Sequence, residues 1–197
     1  MDSFERKARR LGYRFIAGID EAGRGPLAGP VVAAAVIFPP GYRNEEIGDS
    51  KKLTPLKRER LYSRILHDAR AVGIGTAEHD VIDRVNILQA TLLAMEQAVA
   101  SLSVVPDYLL IDGLNTLTLP IPQEAIIRGD SRSLSVAAAS IIAKVSRDRI
   151  MDDYHDRYPQ YNFRKNKGYP TKEHREAIAT CGRCDIHRNS FRIRGEL

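Results

Sequence analysis

Short apolar runs and helical apolar spacings alternate along this chain of 197 residues. Apolar runs bounded by glycine, proline or aspartate predict buried strands. Apolar residues at steps of three and four predict helices, and the clearest such pattern fills residues 80–102. The predicted strands are residues 13–20, 30–38, 71–78, 107–112 and 124–128.

Capping and turn residues locate four further helices. Ser, Thr and Asp accept hydrogen bonds from the free amides of a helix N-terminus, and glycine favours the C-terminal end. These helices are expected to begin at Ser3, at Thr54, at Asp130 or Ser131, and at Thr171, and to end at Gly12, near Ala69, near Tyr154 and at Gly182. Two early strands joined by a short loop, followed by strand–helix–strand connections, predict an α/β fold with a five-stranded mixed sheet flanked by helices.

The composition excludes several classes of protein. A chain with 43% hydrophobic and 28% charged residues is neither disordered nor fibrous. The longest apolar run, residues 31–38, is far shorter than the ~20 residues of a membrane span, and the charged N-terminus is unlike a signal peptide. Because two cysteines cannot form a disulfide framework, we expect a cytoplasmic location.

Positive charge is concentrated near the C-terminus. The net charge is +5, and residues 157–194 carry ten Lys or Arg against three acidic residues. Such a segment is typical of a surface that binds the phosphates of a nucleic acid, although a solvated basic tail has the same composition. The rest of the chain is mildly acidic, and this acidity needs its own explanation.

Four acidic residues stand at the ends of predicted elements. Asp20 and Glu21 end the first strand, Asp112 ends the strand over 107–112, and Asp130 opens a long helix. Functional groups gather at strand ends in open sheets, and converging carboxylates suit hard divalent cations such as Mg²⁺ or Mn²⁺. Each acid alone also has a structural explanation, as a helix cap or a turn former. Convergence at one edge of the sheet would favour a hydrolytic centre with two ions.

The loop that follows the first strand is rich in glycine but lacks the phosphate-loop pattern of nucleoside-triphosphate sites. Gly23 and Gly25 would let main-chain amides approach a ligand closely, with the cationic fork of Arg24 between them. A plain hairpin turn explains the same glycines.

A C-x-x-C pair is formed by Cys181 and Cys184. A redox pair normally opens a helix, whereas this pair follows one, and a second cysteine pair for zinc is missing. His174 and His187 are nearby in the sequence. We expect the cysteines to be chemically inert.

Five motifs in series carry a resemblance to a known family. They run in one order over nearly the whole chain: GIDEAGRGPLAGPVVAAAVI (18–37), DSKKLT (49–54), IDGLN (111–115), GDSRSLSVAAASIIAKVSRDRIM (129–151) and NKGYPTKEH (166–174). Together they resemble the type 2 ribonucleases H, and specifically the bacterial ribonucleases HII. The glycine-rich loop alone would be a weak signal, whereas the joint pattern is specific.

The resemblance implies a ribonuclease H-like fold and a set of site residues. The catalytic domain would span 1–157, and a basic helical C-terminal extension, 158–197, would pack on it. Two Mn²⁺ or Mg²⁺ ions would be held by the four catalytic acids, Asp20, Glu21, Asp112 and Asp130. The residues expected to bind substrate are the 2′-hydroxyl-reading Gly23, Arg24 and Gly25, the deoxyribose-packing Tyr169, and the basic Lys51, Arg164, Lys165 and Lys167.

The resulting hypothesis is an endonuclease that cuts the RNA strand of RNA–DNA hybrids. It would also nick duplex DNA on the 5′ side of embedded ribonucleotides, leaving 3′-hydroxyl and 5′-phosphate ends by a two-metal mechanism. We expect a monomer with these duplexes as partners and no membrane partner. Two alternatives stay open: a nucleic-acid-binding domain without catalysis, which leaves the acids unexplained, and a nuclease or integrase of the same fold that acts on DNA only.

Overall fold

A computed structural model describes residues 1–48, 50 and 53–192, and Lys51 lies outside this part of the chain. The described strands are β1 (Ile16–Ala22), β2 (Val31–Ile37), β3 (Ala71–Ala77), β4 (Tyr108–Asp112) and β5 (Gln123–Ile126). They form one sheet in the order β3-β2-β1-β4-β5. The pairs β1–β2 and β2–β3 are antiparallel, whereas β1–β4 and β4–β5 are parallel. The predicted five-stranded mixed sheet is confirmed.

Helices cover both faces of the sheet. They are α1 (Ser3–Arg10), α2 (Pro55–Asp68), α3 (His79–Ala100), α4 (Leu134–Arg157), α5 (Phe163–Asn166) and α6 (Lys172–Cys181). One apolar core lies between the sheet and α3, and a second lies between the sheet, α2 and α4. The strand β2 is buried along its whole length, which explains its run of Val and Ala. Among the described residues, no helix is long and apolar enough to span a bilayer.

The helix α4 lies directly on β1, the central strand. A Cβ atom at Gly18 would stand 2.2 Å from the carbonyl carbon of Ser135, so only glycine permits this approach. The same helix carries Ser140 alongside the end of β1, where its hydroxyl lies near Asp20 and lowers the pKa of that carboxyl, against the larger raising effect of burial. The close packing therefore fixes α4 against the acidic end of the strand.

The predicted capping of α4 by Asp130 or Ser131 is wrong. Both residues lie in a short 3₁₀ turn, Gly129–Ser131, and the cap is Ser133, whose hydroxyl accepts a bond of 3.3 Å from the amide of Val136. The buried carboxylate of Glu5 accepts two further bonds, from the Ser133 hydroxyl and the Ser135 amide. A long-range contact from α1 therefore completes this helix N-terminus.

The predicted helix over 80–102 is interrupted. Asn86 has φ 72° and ψ 165°, which no helical residue adopts. Its side-chain oxygen accepts bonds from the amides of Leu88 and Gln89, so it caps a second helical segment. The caps predicted at Thr54 and Thr171 are confirmed, since each accepts a bond from an amide three residues ahead.

A third apolar cluster lies between the loop after β1 and the C-terminal segment. Leu27 and Ala28 pack there against side chains of the later part of the chain, namely Met151, Tyr161, Phe163, Ile178 and Ile186. An isolated antiparallel bridge also joins Ala28 to His187. The segment 158–170 contributes the short helix α5 to this cluster through Phe163. The glycine-rich loop is therefore held from behind by residues far away in sequence.

Candidate active site

Three of the four predicted acids meet at one edge of the sheet. Asp20 and Glu21 lie near the end of β1, and Asp112 ends β4. Because β1 and β4 are adjacent and parallel, their carboxyl ends lie side by side. One carboxylate oxygen from each of the three residues lies within 4.8 Å of those of the other two. Such a group of hard oxygen donors fits Mg²⁺ or Mn²⁺.

Burial and mutual repulsion make this group unfavourable without a cation. Asp20 is only 5% exposed, and burial, followed by the charges of Glu21 and Asp112, raises its pKa well above the usual value. Burial also raises the pKa of Glu21, while the nearby guanidinium of Arg24, 3.3 Å away, opposes this shift. A divalent ion bound between the oxygens would offset both effects.

The fourth predicted acid, Asp130, lies outside the group of three. It is buried in the turn Gly129–Ser131, which is joined to the group because the Gly129 amide donates a 2.6 Å bond to Asp112. The turn between β5 and α4 thus brings Asp130 beside the end of β4. Its assignment as a metal ligand remains a prediction.

The predicted substrate loop and Tyr169 share one cleft with Glu21, one of the three acids of the group. This cleft has a volume of about 220 Å³ and is lined by residues that include Glu21, Gly23, Arg24, Gly25, Ser140 and Tyr169. The Tyr169 side chain is 42% exposed, and a Cβ atom at Gly25 would lie 3.6 Å from its ring. Residues more than 140 positions apart in sequence therefore form one surface beside the carboxylates.

The comparison with known proteins agrees with this arrangement. The family model "Ribonuclease HII" matches residues 17–194. This chain belongs to the ribonuclease HII family. It is therefore a ribonuclease H, an endonuclease among the hydrolases.

Relatives of known name and structure support the family assignment. The chain is 63% identical to ribonuclease HII of Syntrophus aciditrophicus (strain SB), over 98% of this chain and 92% of that protein. It is 60% identical to ribonuclease HII of Geotalea uraniireducens (strain Rf4), over 96% and 88%. The crystal structure of ribonuclease H2 from Pyrococcus horikoshii OT3 matches with a TM-score of 0.75 and 27% identity, covering 89% of this chain and 93% of that one.

A wide groove in this ribonuclease HII fold is lined by three of the basic residues expected to bind substrate, Arg164, Lys165 and Lys167. The groove has a volume of about 730 Å³ and is lined by residues of α2, α4 and α5, with both charge signs present. Arg164 pairs with Asp156 at 2.6 Å, and Lys165 pairs with Glu173 at 3.2 Å. Lys167 pairs with Asp152 and is only 17% exposed. These ion pairs reduce the positive charge that the sequence suggested.

The C-x-x-C pair and its neighbouring histidines form a hydrogen-bonded chain. Cys184 contacts Nδ1 of His187 through its amide at 2.9 Å and through its sulfur at 3.1 Å. His187 contacts His174 between their Nε2 atoms at 3.1 Å, and His174 Nδ1 reaches the carbonyl of Tyr169 at 2.9 Å. Both cysteines are free, and in the described part of the chain they belong to no group of three possible metal ligands.

The sequence reasoning missed two arginines behind the glycine-rich loop. Arg147 and Arg188 are almost completely buried and donate only to main-chain carbonyls in the hydrogen bonds that the described residues form. Hydropathy marks arginine as a surface residue, so no local pattern separates these two from the other cations. The motif that contains Arg147 was recognised, but its pattern gives no sign that this arginine is buried.

Proposed function

We propose that this ribonuclease H hydrolyses the RNA strand of RNA–DNA hybrids and nicks duplex DNA on the 5′ side of embedded ribonucleotides. The observation that carries the proposal is the shared cleft, in which Glu21 of the carboxylate group adjoins the loop 23–25 and the exposed Tyr169. A hydrolytic centre thus lies beside a surface that can read a sugar.

The proposed metal ligands are Asp20, Glu21, Asp112 and Asp130, which would hold two Mn²⁺ or Mg²⁺ ions. The donor set fits such ions, because carboxylate oxygens of the buried Asp20 and the half-buried Glu21 and Asp112 lie close together. When bound, the ions would supply activation of the attacking water and stabilisation of the leaving oxygen. Because water and not the 2′-hydroxyl is the nucleophile, we expect 3′-hydroxyl and 5′-phosphate ends.

The choice of phosphate is proposed to come from the sugar-reading surface. The 2′-hydroxyl distinguishes RNA from DNA, and a close main-chain group can detect it. Gly25 is exposed and leaves the main chain accessible, whereas Gly23 is buried and permits the close approach of Arg147 behind the loop. The flat ring of Tyr169 can pack on the following deoxyribose. This pairing favours a ribonuclease over a DNA-only nuclease of the same fold.

The remaining parts of the chain are proposed to support this reaction. We infer a catalytic domain over 1–157 with the extension 158–197 packed on it, acting as a cytoplasmic monomer. The groove lined by Arg164, Lys165 and Lys167 is proposed to follow substrate phosphates, with Lys51 as a further contact. A binding domain without catalysis would gain nothing from acids here, because carboxylates repel phosphates when no cation intervenes.

One experiment tests the proposal against its two alternatives. The protein is incubated with an RNA–DNA hybrid, a duplex that contains one ribonucleotide, and an all-DNA duplex, each with Mg²⁺, Mn²⁺ or EDTA. We expect cleavage of the first two substrates in the presence of either metal and none with EDTA. Cleavage of all three duplexes would support a DNA nuclease, and binding without cleavage would support a binding domain.

A further inference from the structure

Two buried guanidinium groups hold the glycine-rich loop from behind. Arg188 is 0% exposed and Arg147 is 1% exposed. Arg147 donates at 2.9–3.1 Å to the carbonyls of Pro30, Lys167 and Ala28. Arg188 donates at 2.6–3.0 Å to four carbonyls of the loop, those of Gly23, Arg24, Pro26 and Gly29. The loop is thus bound through its main-chain carbonyls.

Burying two cations side by side is unfavourable. Among the described residues, neither guanidinium forms a salt bridge with a carboxylate. Burial, with the charge of Arg147 as the second cause, lowers the pKa of Arg188 to about 9. Burial lowers the pKa of Arg147 to about 10. A plain turn needs no such groups, so the arrangement points to a requirement for one particular loop shape.

The arginine contacts determine which way the loop amides point. In a trans peptide the C=O and the N–H of one unit point to opposite sides. Because the carbonyls of Gly23 and Arg24 point inward to Arg188, the amides of Arg24 and Gly25 point outward, on the exposed side of the loop. A Cβ atom at Gly23 would lie 2.0 Å from Nε of Arg147, and its φ of +100° also favours glycine.

Arg188 is itself held by a separate anchor. The carboxylate of Asp83, on α3, accepts bonds from the amides of Asn189 and Ser190 and from the Ser190 hydroxyl at 2.6–2.9 Å. The amide of Arg188 donates to the carbonyl of Leu27 at 2.8 Å. The segment 187–190 is therefore fixed between α3 and the loop.

We propose that Arg188, together with Arg147, is a positioning residue that presents the outward amides of Arg24 and Gly25 to the ribose 2′-hydroxyl. This inference rests on the proposed function, since it assigns discrimination of the sugar to a loop shape. The C-terminal segment would then set specificity through Arg188 without touching the substrate. The carboxylate group would keep its metal affinity when Arg188 is changed.

The test compares two substrates and two kinds of variant. Arg188→Lys keeps the charge but loses the planar fork that reaches four carbonyls. We expect kcat/KM on a duplex with one ribonucleotide to fall about 100-fold, as for misplaced binding groups, with a smaller fall on a long hybrid that offers many registers. Mn²⁺ affinity, measured by calorimetry, should stay unchanged. Asp83→Asn, which loosens the anchor of Arg188, should change the ratio of the two rates in the same direction, but less.

Leu102→Ala is the matched control for lost stability. Leu102 is a buried residue of the α3 core, next to Gly73 on the edge strand β3. This variant should lower the melting temperature without changing the ratio of the two rates. The inference is overturned if Arg188→Lys and Asp83→Asn also keep the wild-type ratio. Failure of the proposed function would give a different result, because the wild-type protein itself would then cut neither substrate.

Discussion

At the scale of single residues, burial gives the site its chemical character. Asp20 and Glu21 form one carboxylate group with Asp112, and the raised pKa of the first two comes mainly from lost solvation. Tyr169 has the opposite environment, since its ring stays accessible while its carbonyl is bound by His174. Hydrolysis and sugar recognition are thus assigned to side chains of opposite exposure.

The ring of Tyr169 can be removed without breaking its main-chain bond to His174. We predict that Tyr169→Ala loses about tenfold to hundredfold activity on a duplex with one ribonucleotide, the scale of a lost aromatic contact with a nucleotide. The loss on a long hybrid should be smaller, and Tyr169→Phe should behave like the wild type. Equal losses on both substrates, together with a lower melting temperature, would mean that the ring only packs the loop.

His174 should make stability depend on pH. Burial lowers the pKa of His174, so the folded state favours the neutral form of this imidazole. The contribution of His174 to the free energy of unfolding is complete above its pKa in the unfolded state, about 6.5. It is lost as the pH drops through the lower pKa of His174 in the folded state. We predict a steeper loss of melting temperature from about pH 7 to about pH 5 in the wild type than in His174→Asn. The raised pKa values of Asp20 and Glu21 change stability in the opposite direction, and they do so in both proteins. Identical curves of melting temperature against pH for the two proteins would contradict the role assigned to His174.

At the scale of elements, periodicity located the strands and most helices because burial of one face repeats along the sequence. It failed where a single long-range or local polar contact decided the structure. Asn86 interrupts α3 although apolar steps of three and four continue on both sides. Ser133 caps α4 because Glu5 of α1 completes that end. The buried role of Arg188 was equally hidden, since it depends on a loop 159–165 positions earlier.

Ion pairs within the C-terminal elements change the expected phosphate contacts. Arg164 and Lys165 are exposed and pair with acids that a phosphate could replace, whereas Lys167 is largely buried. We predict that Arg164→Gln with Lys165→Gln reduces the slope of log affinity against log salt by about 0.9 for each lost contact. The control is Arg84→Gln, an exposed arginine of α3 that pairs with Asp80 at 3.3 Å and lies outside the groove, and it should leave the slope unchanged. An unchanged slope in the double variant would mean that these side chains are merely solvated.

At the scale of the whole molecule, the acids link metal binding to folding. A ligand that binds only the folded state at about 100 times its Kd adds about 2.7 kcal/mol, which for this size raises the melting temperature by about 5–10 °C. We predict such a rise with Mn²⁺ for the wild type. Asp20→Asn should melt higher than the wild type in EDTA, because repulsion is relieved, and should lose most of the rise with Mn²⁺. The control is Asp107→Asn, at the opposite end of β4, and it should keep the rise in melting temperature with Mn²⁺. A full rise in Asp20→Asn would contradict the proposed metal site.

The position of the nick tests most directly whether this protein uses its carboxylate group to cleave at a ribonucleotide. A duplex with one ribonucleotide is incubated with Mn²⁺ and either the wild type, Asp112→Asn or Asp107→Asn, and the products are resolved at single-nucleotide level. The proposed function predicts one nick on the 5′ side of the ribonucleotide, with 3′-hydroxyl and 5′-phosphate ends, for the wild type and Asp107→Asn. Asp112→Asn should lose more than ~100-fold activity while still binding the duplex. Near-normal cleavage by Asp112→Asn, or a wild-type cut that ignores the ribonucleotide, would contradict it.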